Sequence, residues 1–275
     1  MNNNGLQPIP NKNHEDFFKN IDSSNFLYDD FISTDFYELF IQWIKKSKRN
    51  KLTGIDKFNV LKFSSGSVQI FDHFYIKYHK KRFRFFEDEF MYHKAISKHG
   101  LNYEFMENEF SFPGWVHSYD AFIISVPFTR KGCIHPKLYN VLDNCEQLNV
   151  PVLLDFCHLP VSKNVNIDLN NYSCIETLAF SFSKMLWGAE HLRIGIRLQK
   201  KDDDDGIDIF NSVGMINRIS VGYAKEIMSN YELDYNWNTY EERYKTYCLE
   251  NNLTMTDNIL YAMNEEERIV IAGSI

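Results

Sequence analysis

Apolar residues at Phe36, Tyr37, Phe40, Ile41 and Ile44 recur at helical spacing. The cations Lys45, Lys46, Lys48 and Arg49 follow, where a helix C-terminus favours them. Residues 57–63 predict a strand ending in Ser64-Ser65-Gly66-Ser67, with a helix over 68–78 behind it. Residues 82–86 alternate as a strand does, and 91–99 read as a helix stopped by Gly100. Then come an unbroken apolar strand over 121–126, a helix over 137–147, and strands over 150–154, 177–182 and 194–198. Strands alternating with helices predict an α/β protein with three layers, α/β/α, around a mostly parallel sheet covered on both faces. Beyond it, 200–205 predict a charged surface loop and 212–230 a long helix, while the polar residues 1–24 predict a loose arm. No internal repeat is visible.

Composition narrows the class. At 275 residues, 44% hydrophobic and 16% aromatic, the chain has enough apolar material for a sizeable core and is not of disordered composition. A net charge of −7 argues against nucleic acid or an anionic membrane as partner. No apolar run reaches the roughly 18 residues a membrane helix needs; Glu38 and Gln42 interrupt the most apolar helix. Five cysteines show no Cys-x-x-Cys pair, and residues 1–5 lack the basic and apolar regions of a secretion signal. Both fit reduced thiols and a cytoplasmic location.

The candidate chemistry lies around Ser181-Phe182-Ser183-Lys184. Asp155 ends the apolar strand 29 positions before Lys184, and Arg193 follows it by nine. A lysine amine can form a Schiff base with an aldehyde. A carboxylate at a strand end can pair with a pyridinium nitrogen, so that the ring draws electrons from a bound substrate. A hydroxyl and a guanidinium near the lysine can hold a phosphate dianion. Together these are the needs of pyridoxal 5'-phosphate (PLP). Burying Asp155 without a cation would be costly, which favours such a ligand. Flanking Phe180, Phe182, Met185, Leu186 and Trp187 would lower the Lys184 pKa and favour the neutral nucleophile. Ser65-Gly66-Ser67 stands at a strand-to-helix turn, where phosphate commonly binds.

The ordered set resembles the fold-type I PLP enzymes, specifically class I/II aminotransferases, over roughly residues 25–200. The resemblance implies a phosphate loop at Ser65, Gly66 and Ser67, with Ser181 and Arg193 (or Arg197) also on the phosphate. It implies Phe90 stacked on the ring, Thr129 near the ring hydroxyl where the family usually has Asn, Asp155 on the ring nitrogen and His158 on or over the ring. Arg193 falls one position later than the family's usual spacing, so one residue is inserted near Trp187-Gly188. Tyr28, 37 residues before Ser65, stands where the family has a tyrosine that reaches the neighbouring subunit's phosphate, and Arg268 where an arginine grips the substrate α-carboxylate.

The implied organisation is a loose arm over 1–24, a PLP-binding large domain over 25–230 and a truncated small domain over 231–275. The implied activity is an aminotransferase acting on an amino acid and a 2-oxo acid, working as a homodimer, with Lys184 displaced by the substrate amine and then moving the α-proton. Two alternatives stand beside it: another fold-type I reaction, such as decarboxylation or an aldol or acyl-transfer step, and a catalytically weak PLP-binding homologue with a structural role. No Gly-x-x-x-x-Gly-Lys-Ser/Thr loop, Gly-x-Ser-x-Gly elbow or His-Glu-x-x-His motif occurs, and no histidines sit at tight metal spacing. Residues 77–84 are basic but run into Glu87-Asp88-Glu89, which reads as a solvated strand.

Overall fold

The computed structural model describes residues 6–28, 34–107 and 115–275. Seven strands pair in the order β2 (Val60–Ser64), β9 (Gly195–Gln199), β8 (Ile175–Ser181), β6 (Val152–Asp155), β5 (Asp120–Ser125), β3 (Arg82–Phe86) and β4 (Tyr103–Met106). β4, β3, β5, β6 and β8 are mutually parallel, and β9 alone runs antiparallel to both its neighbours. The expected mostly parallel sheet is therefore present.

Residues on β5 and β6 alternate between two cores, as the two faces of a strand require. Ala121, Ile123 and Leu153 meet α3 (Ser67–Lys77) through Ile70, Phe71 and Phe74. Phe122, Ile124 and Leu154 share the opposite core with α2 (Thr34–Lys45), α4 (Leu138–Leu148) and α6 (Arg218–Asn230). Burial on both faces is why these strands read as unbroken apolar runs. A second, smaller core gathers Trp237, Tyr240 and Tyr244 of α7 (Tyr235–Glu250) with Tyr261 and Ala262 of β10 (Tyr261–Asn264), beside β11 (Glu267–Val270). β1 (Lys51–Thr53) and β7 (Asn166–Asp168) form a separate parallel pair.

Several expectations need correction. The loose arm is not loose where it is described: Lys12–Asn20 is a helix, α1, capped by the Asn11 side chain, and Ile9 is buried in the small core (residues 1–5 lie outside the described residues). Polar composition hid it, because α1 is held by tertiary contacts such as His14 with Tyr235 rather than by an apolar stripe. The helix expected over 212–230 starts only at Arg218, as α6, and residues 206–212 form a separate, unexpected helix, α5 (Gly206–Ser212); Gly214, whose φ of 70° is left-handed, lies between them. The loop over 200–205 is not merely solvated, since Asp205 caps α5 and pairs with the buried Arg197. Residues 91–99 wind as a 3-10 helix, and 82–86 are an interior strand rather than a solvated one.

Candidate active site at the carboxyl ends of the strands

Ser64, Gly195 and Ser181 lie in one row across β2, β9 and β8. That row puts the Ser65-Gly66-Ser67 turn beside the end of β8. Gly66 has φ +90° and opens α3, leaving the first backbone N–H groups of the helix free to face an anion. The approach needs glycine twice. A Cβ on Gly195 would stand 2.4 Å from Ser64 Oγ and 2.6 Å from the Gly66 carbonyl carbon; a Cβ on Gly66 would stand 2.5 Å from Arg193 Nη2. Arg193 itself has φ +51°, a conformation that costs a non-glycine residue on the order of 1 kcal/mol. Its guanidinium has no acidic partner within salt-bridge distance among the described residues. The Ser181 hydroxyl, at the same cup, bonds Ser183 Oγ at 2.9 Å. Ser65, Gly66, Ser67, Ser181 and Arg193 are thus brought together. Arg197, the other candidate, is not there: it is buried and bonded to both Asp205 and Asp208. The extra residue before Arg193 is taken up by a left-handed Gly188 and the short 3-10 turn Ala189–His191.

Asp155 ends β6 with 7% of its surface exposed. One oxygen accepts the Cys157 N–H at 3.0 Å, and no cation among the described residues is paired with it; burial pushes its pKa up to about 6 against the help of Cys157. Next to it, Cys157 is pushed well up by burial, and the Ser67 hydroxyl is within hydrogen-bonding reach of its thiol. His158 accepts at Nδ1 from the Asn258 amide at 2.9 Å, an orientation fixed because Asn258 Oδ1 takes the Leu260 N–H. Its proton therefore sits on Nε2. Burial, then the charges of Lys184 and Arg268, hold its pKa down to about 3, so it is neutral.

The Lys184 amine donates to the Leu6 carbonyl. Burial pushes its pKa below the ordinary range, opposed by Cys157 and Glu190 and reinforced by Arg193. That is the shift its apolar neighbours predict. Arg268, on β11, donates from Nη1 to the Thr129 carbonyl at 3.1 Å and lies over the Tyr261 ring. Tyr261 donates to the same carbonyl, so the loop after β5 is tied to the small core. Phe90 stays 39% exposed, its ring stacked on Tyr92 with centroids 6.3 Å apart. Tyr28 is 85% exposed at the end of a 3-10 turn.

Sequence reasoning missed Glu89. It is 4% exposed, accepts the Ser125 N–H at 2.9 Å, and takes the Thr129 hydroxyl at 3.2 Å. Burial, with Asp155's charge adding to it, pushes Glu89 up to about 7. The signal available was slight, the third of three acidic residues after a buried strand.

The described residues fit a phosphorylated, cation-bearing heterocycle. The cup of Gly66 and Arg193 supplies donors without a competing acid, and Asp155 supplies a buried negative charge without a cation.

No protein-family model matches the chain, and no curated protein matches it in sequence. Solved structures match it in shape. Aminotransferase AspB from Helicobacter pylori aligns with a TM-score of 0.65 at 14% identity, over 94% of this chain and 76% of that one. Histidinol-phosphate aminotransferase from Clostridium acetobutylicum gives 0.63 at 14% identity, over 94% of this chain and 80% of that one. A PLP-bound C-S lyase from Staphylococcus hominis gives 0.63 at 14% identity, over 84% of this chain and 64% of that one. These likenesses show the fold, which is that of the fold-type I PLP enzymes.

Proposed function

We propose that this protein binds pyridoxal 5'-phosphate and is an aminotransferase acting between an amino acid and a 2-oxo acid. The observation that carries the proposal is Asp155, a buried carboxylate whose missing counter-charge a pyridinium nitrogen would supply. When bound, the cofactor offers an aldehyde for condensation with amines and a ring that draws electrons from the substrate α-carbon.

The chain's own residues divide the remaining work. Ser65, Gly66, Ser67, Ser181 and Arg193 would hold the phosphate, mainly through backbone N–H groups and one guanidinium. Asp155 would keep the ring nitrogen charged. Lys184, whose pKa burial lowers, would offer its amine to the aldehyde and afterwards carry the substrate α-proton. Neutral His158 would donate from Nε2. Arg268, held over Thr129, would grip a carboxylate with the free side of its guanidinium. A second reading, another fold-type I reaction such as carbon–sulfur cleavage, is favoured by the C-S lyase, which aligns as well as one of the aminotransferases.

Borohydride reduction of the PLP-loaded protein followed by peptide mass spectrometry tests the proposal. A pyridoxyl adduct on Lys184, absent from Lys184→Ala, is expected. An adduct on another lysine, or none, overturns it. A panel of amino acids with 2-oxoglutarate then separates transamination from lysis by whether a new amino acid or a 2-oxo acid with a released thiol accumulates.

A further inference from the structure

Glu89 follows β3 and Asp155 ends β6, on the two sides of β5, and among the described residues no cation is paired with either. Ser125, whose N–H holds Glu89 at 2.9 Å, is the register partner of Asp155 across β5 and β6. Both carboxylates are almost fully buried, and the donors bonded to them are neutral: the Ser125 N–H and Thr129 hydroxyl for Glu89, the Cys157 N–H for Asp155. Two such anions in a low-dielectric pocket repel each other and cannot both ionise easily. The threonine at the position the resemblance gives to a ring-hydroxyl donor spends its hydroxyl on Glu89 instead.

We propose that Glu89 and Asp155 form an acid pair that holds a proton in the free protein and surrenders it when a pyridine ring enters the site. This deepens the cofactor reading above and rests on it. The proton leaves a carboxyl oxygen and either forms the N–H bond of the ring or passes to water when the ring arrives already protonated. The resulting carboxylate then faces the cation. Nothing else is consumed.

The surrounding groups leave the neutral range to this pair. On α3, Tyr75 is pushed far up by burial and bonded to His93, itself held down to about 3. On β10, Tyr261 is pushed up by burial. His135, stacked on Phe86, is held down to about 4, and His158 to about 3. Cys157 is pushed up, and Arg130, beyond Thr129, is paired with Asp88. Asp155 at about 6 and Glu89 at about 7 are what remains to titrate there. Lys184 and Arg268 supply the nearby positive charge, Arg268 through its bond to the Thr129 carbonyl and Lys184 beside Cys157, and neither is paired with Glu89 or Asp155.

The test is calorimetry with pyridoxine 5'-phosphate, which lacks the aldehyde and so keeps Lys184 out of the measurement. Titrations at pH 6 to 7 in two buffers of different ionisation enthalpy give the protons exchanged per ligand. Wild type should release up to one proton more, or take up one fewer, than Glu89→Gln. Its affinity should correspondingly rise more steeply with pH, by up to about tenfold per unit for one proton. Thr129→Val, which keeps the carboxylate and removes a donor to it, should move that window to higher pH, and serves if Glu89→Gln does not fold. Equal proton counts in wild type and Glu89→Gln, or an unmoved window in Thr129→Val, would show Glu89 to be only an anchor for the loop after β5. Failure of wild type to bind either pyridoxine 5'-phosphate or PLP would instead remove the cofactor reading, and this proposal with it.

Discussion

The Arg193 guanidinium lies against the Cα of Gly66, near enough that a Cβ there would stand 2.5 Å from Nη2. Gly66→Ala should therefore act in two ways. The φ of +90° is strained for alanine, costing about 1–3 kcal/mol of stability. Arg193, being flexible, would swing away and leave the cup. PLP affinity should fall by more than tenfold, measured by equilibrium dialysis on protein shown by thermal melting to be folded. Unchanged affinity in a folded Gly66→Ala would mean the phosphate is not held there.

Asp155→Ala should lower turnover by about two orders of magnitude or more, because a ring nitrogen would lose its counter-charge. Asp155 also makes a pH prediction for the protein without cofactor. Its folded pKa, raised to about 6, exceeds its unfolded value, so its contribution is intact below about pH 4 and is lost as pH rises toward 6. The loss is on the order of 3 kcal/mol. Urea denaturation at pH 4 and pH 7 should show a fall in wild type that is smaller in Asp155→Asn, which cannot ionise, the remainder belonging to Glu89.

Arg268→Lys should raise the Michaelis constant for amino acids about tenfold or more while leaving PLP binding intact, since an ammonium cannot offer the bidentate fork. Steady-state kinetics over a substrate series checks this. An unchanged Michaelis constant would leave Arg268 as a tether between β11 and Thr129.

The site is proposed to be completed by a second copy of the chain. Tyr28 is almost wholly exposed, and Phe210, Val213 and Met215, between 50% and 69% exposed, cluster where Phe210 and Met215 border a cavity of about 230 Å3 that reaches Arg193. Sedimentation velocity should find a dimer, and Tyr28→Phe should weaken PLP binding about tenfold by removing one phosphate donor. A monomer that binds PLP as tightly would contradict this.

The sheet was legible because strands covered on both faces must be apolar throughout, as residues 121–126 are. The positions of the Ser65-Gly66-Ser67 turn and of Asp155 at strand ends were legible because each closes an apolar run with residues that a strand end tolerates. Glu89 was not, since in sequence it continues an acidic run whose other two members, Glu87 and Asp88, are exposed; only the turn at Asp88, with φ 65°, and the Ser125 N–H at the end of β5 turn it inward. The two-part nature of 206–230 was hidden because Ile209, Val213 and Ile216 sustain a helical pattern through the break. α1 was hidden because partners such as Trp187 and Tyr235 lie 173 and 221 residues away.

That distance has a consequence for how the protein is made. Ile9 packs among residues of α7 and β10, Asn11 bonds Tyr240, and the Leu6 carbonyl meets Lys184. A ribosome delivers residues 6–11 first and residues 235–272 last. The segment nearest Lys184 therefore has no place to dock until almost the whole described chain has emerged. Pairings of such sequence separation close slowly and leave apolar surface waiting meanwhile. The contact that covers the lysine amine thus joins residues 178 positions apart.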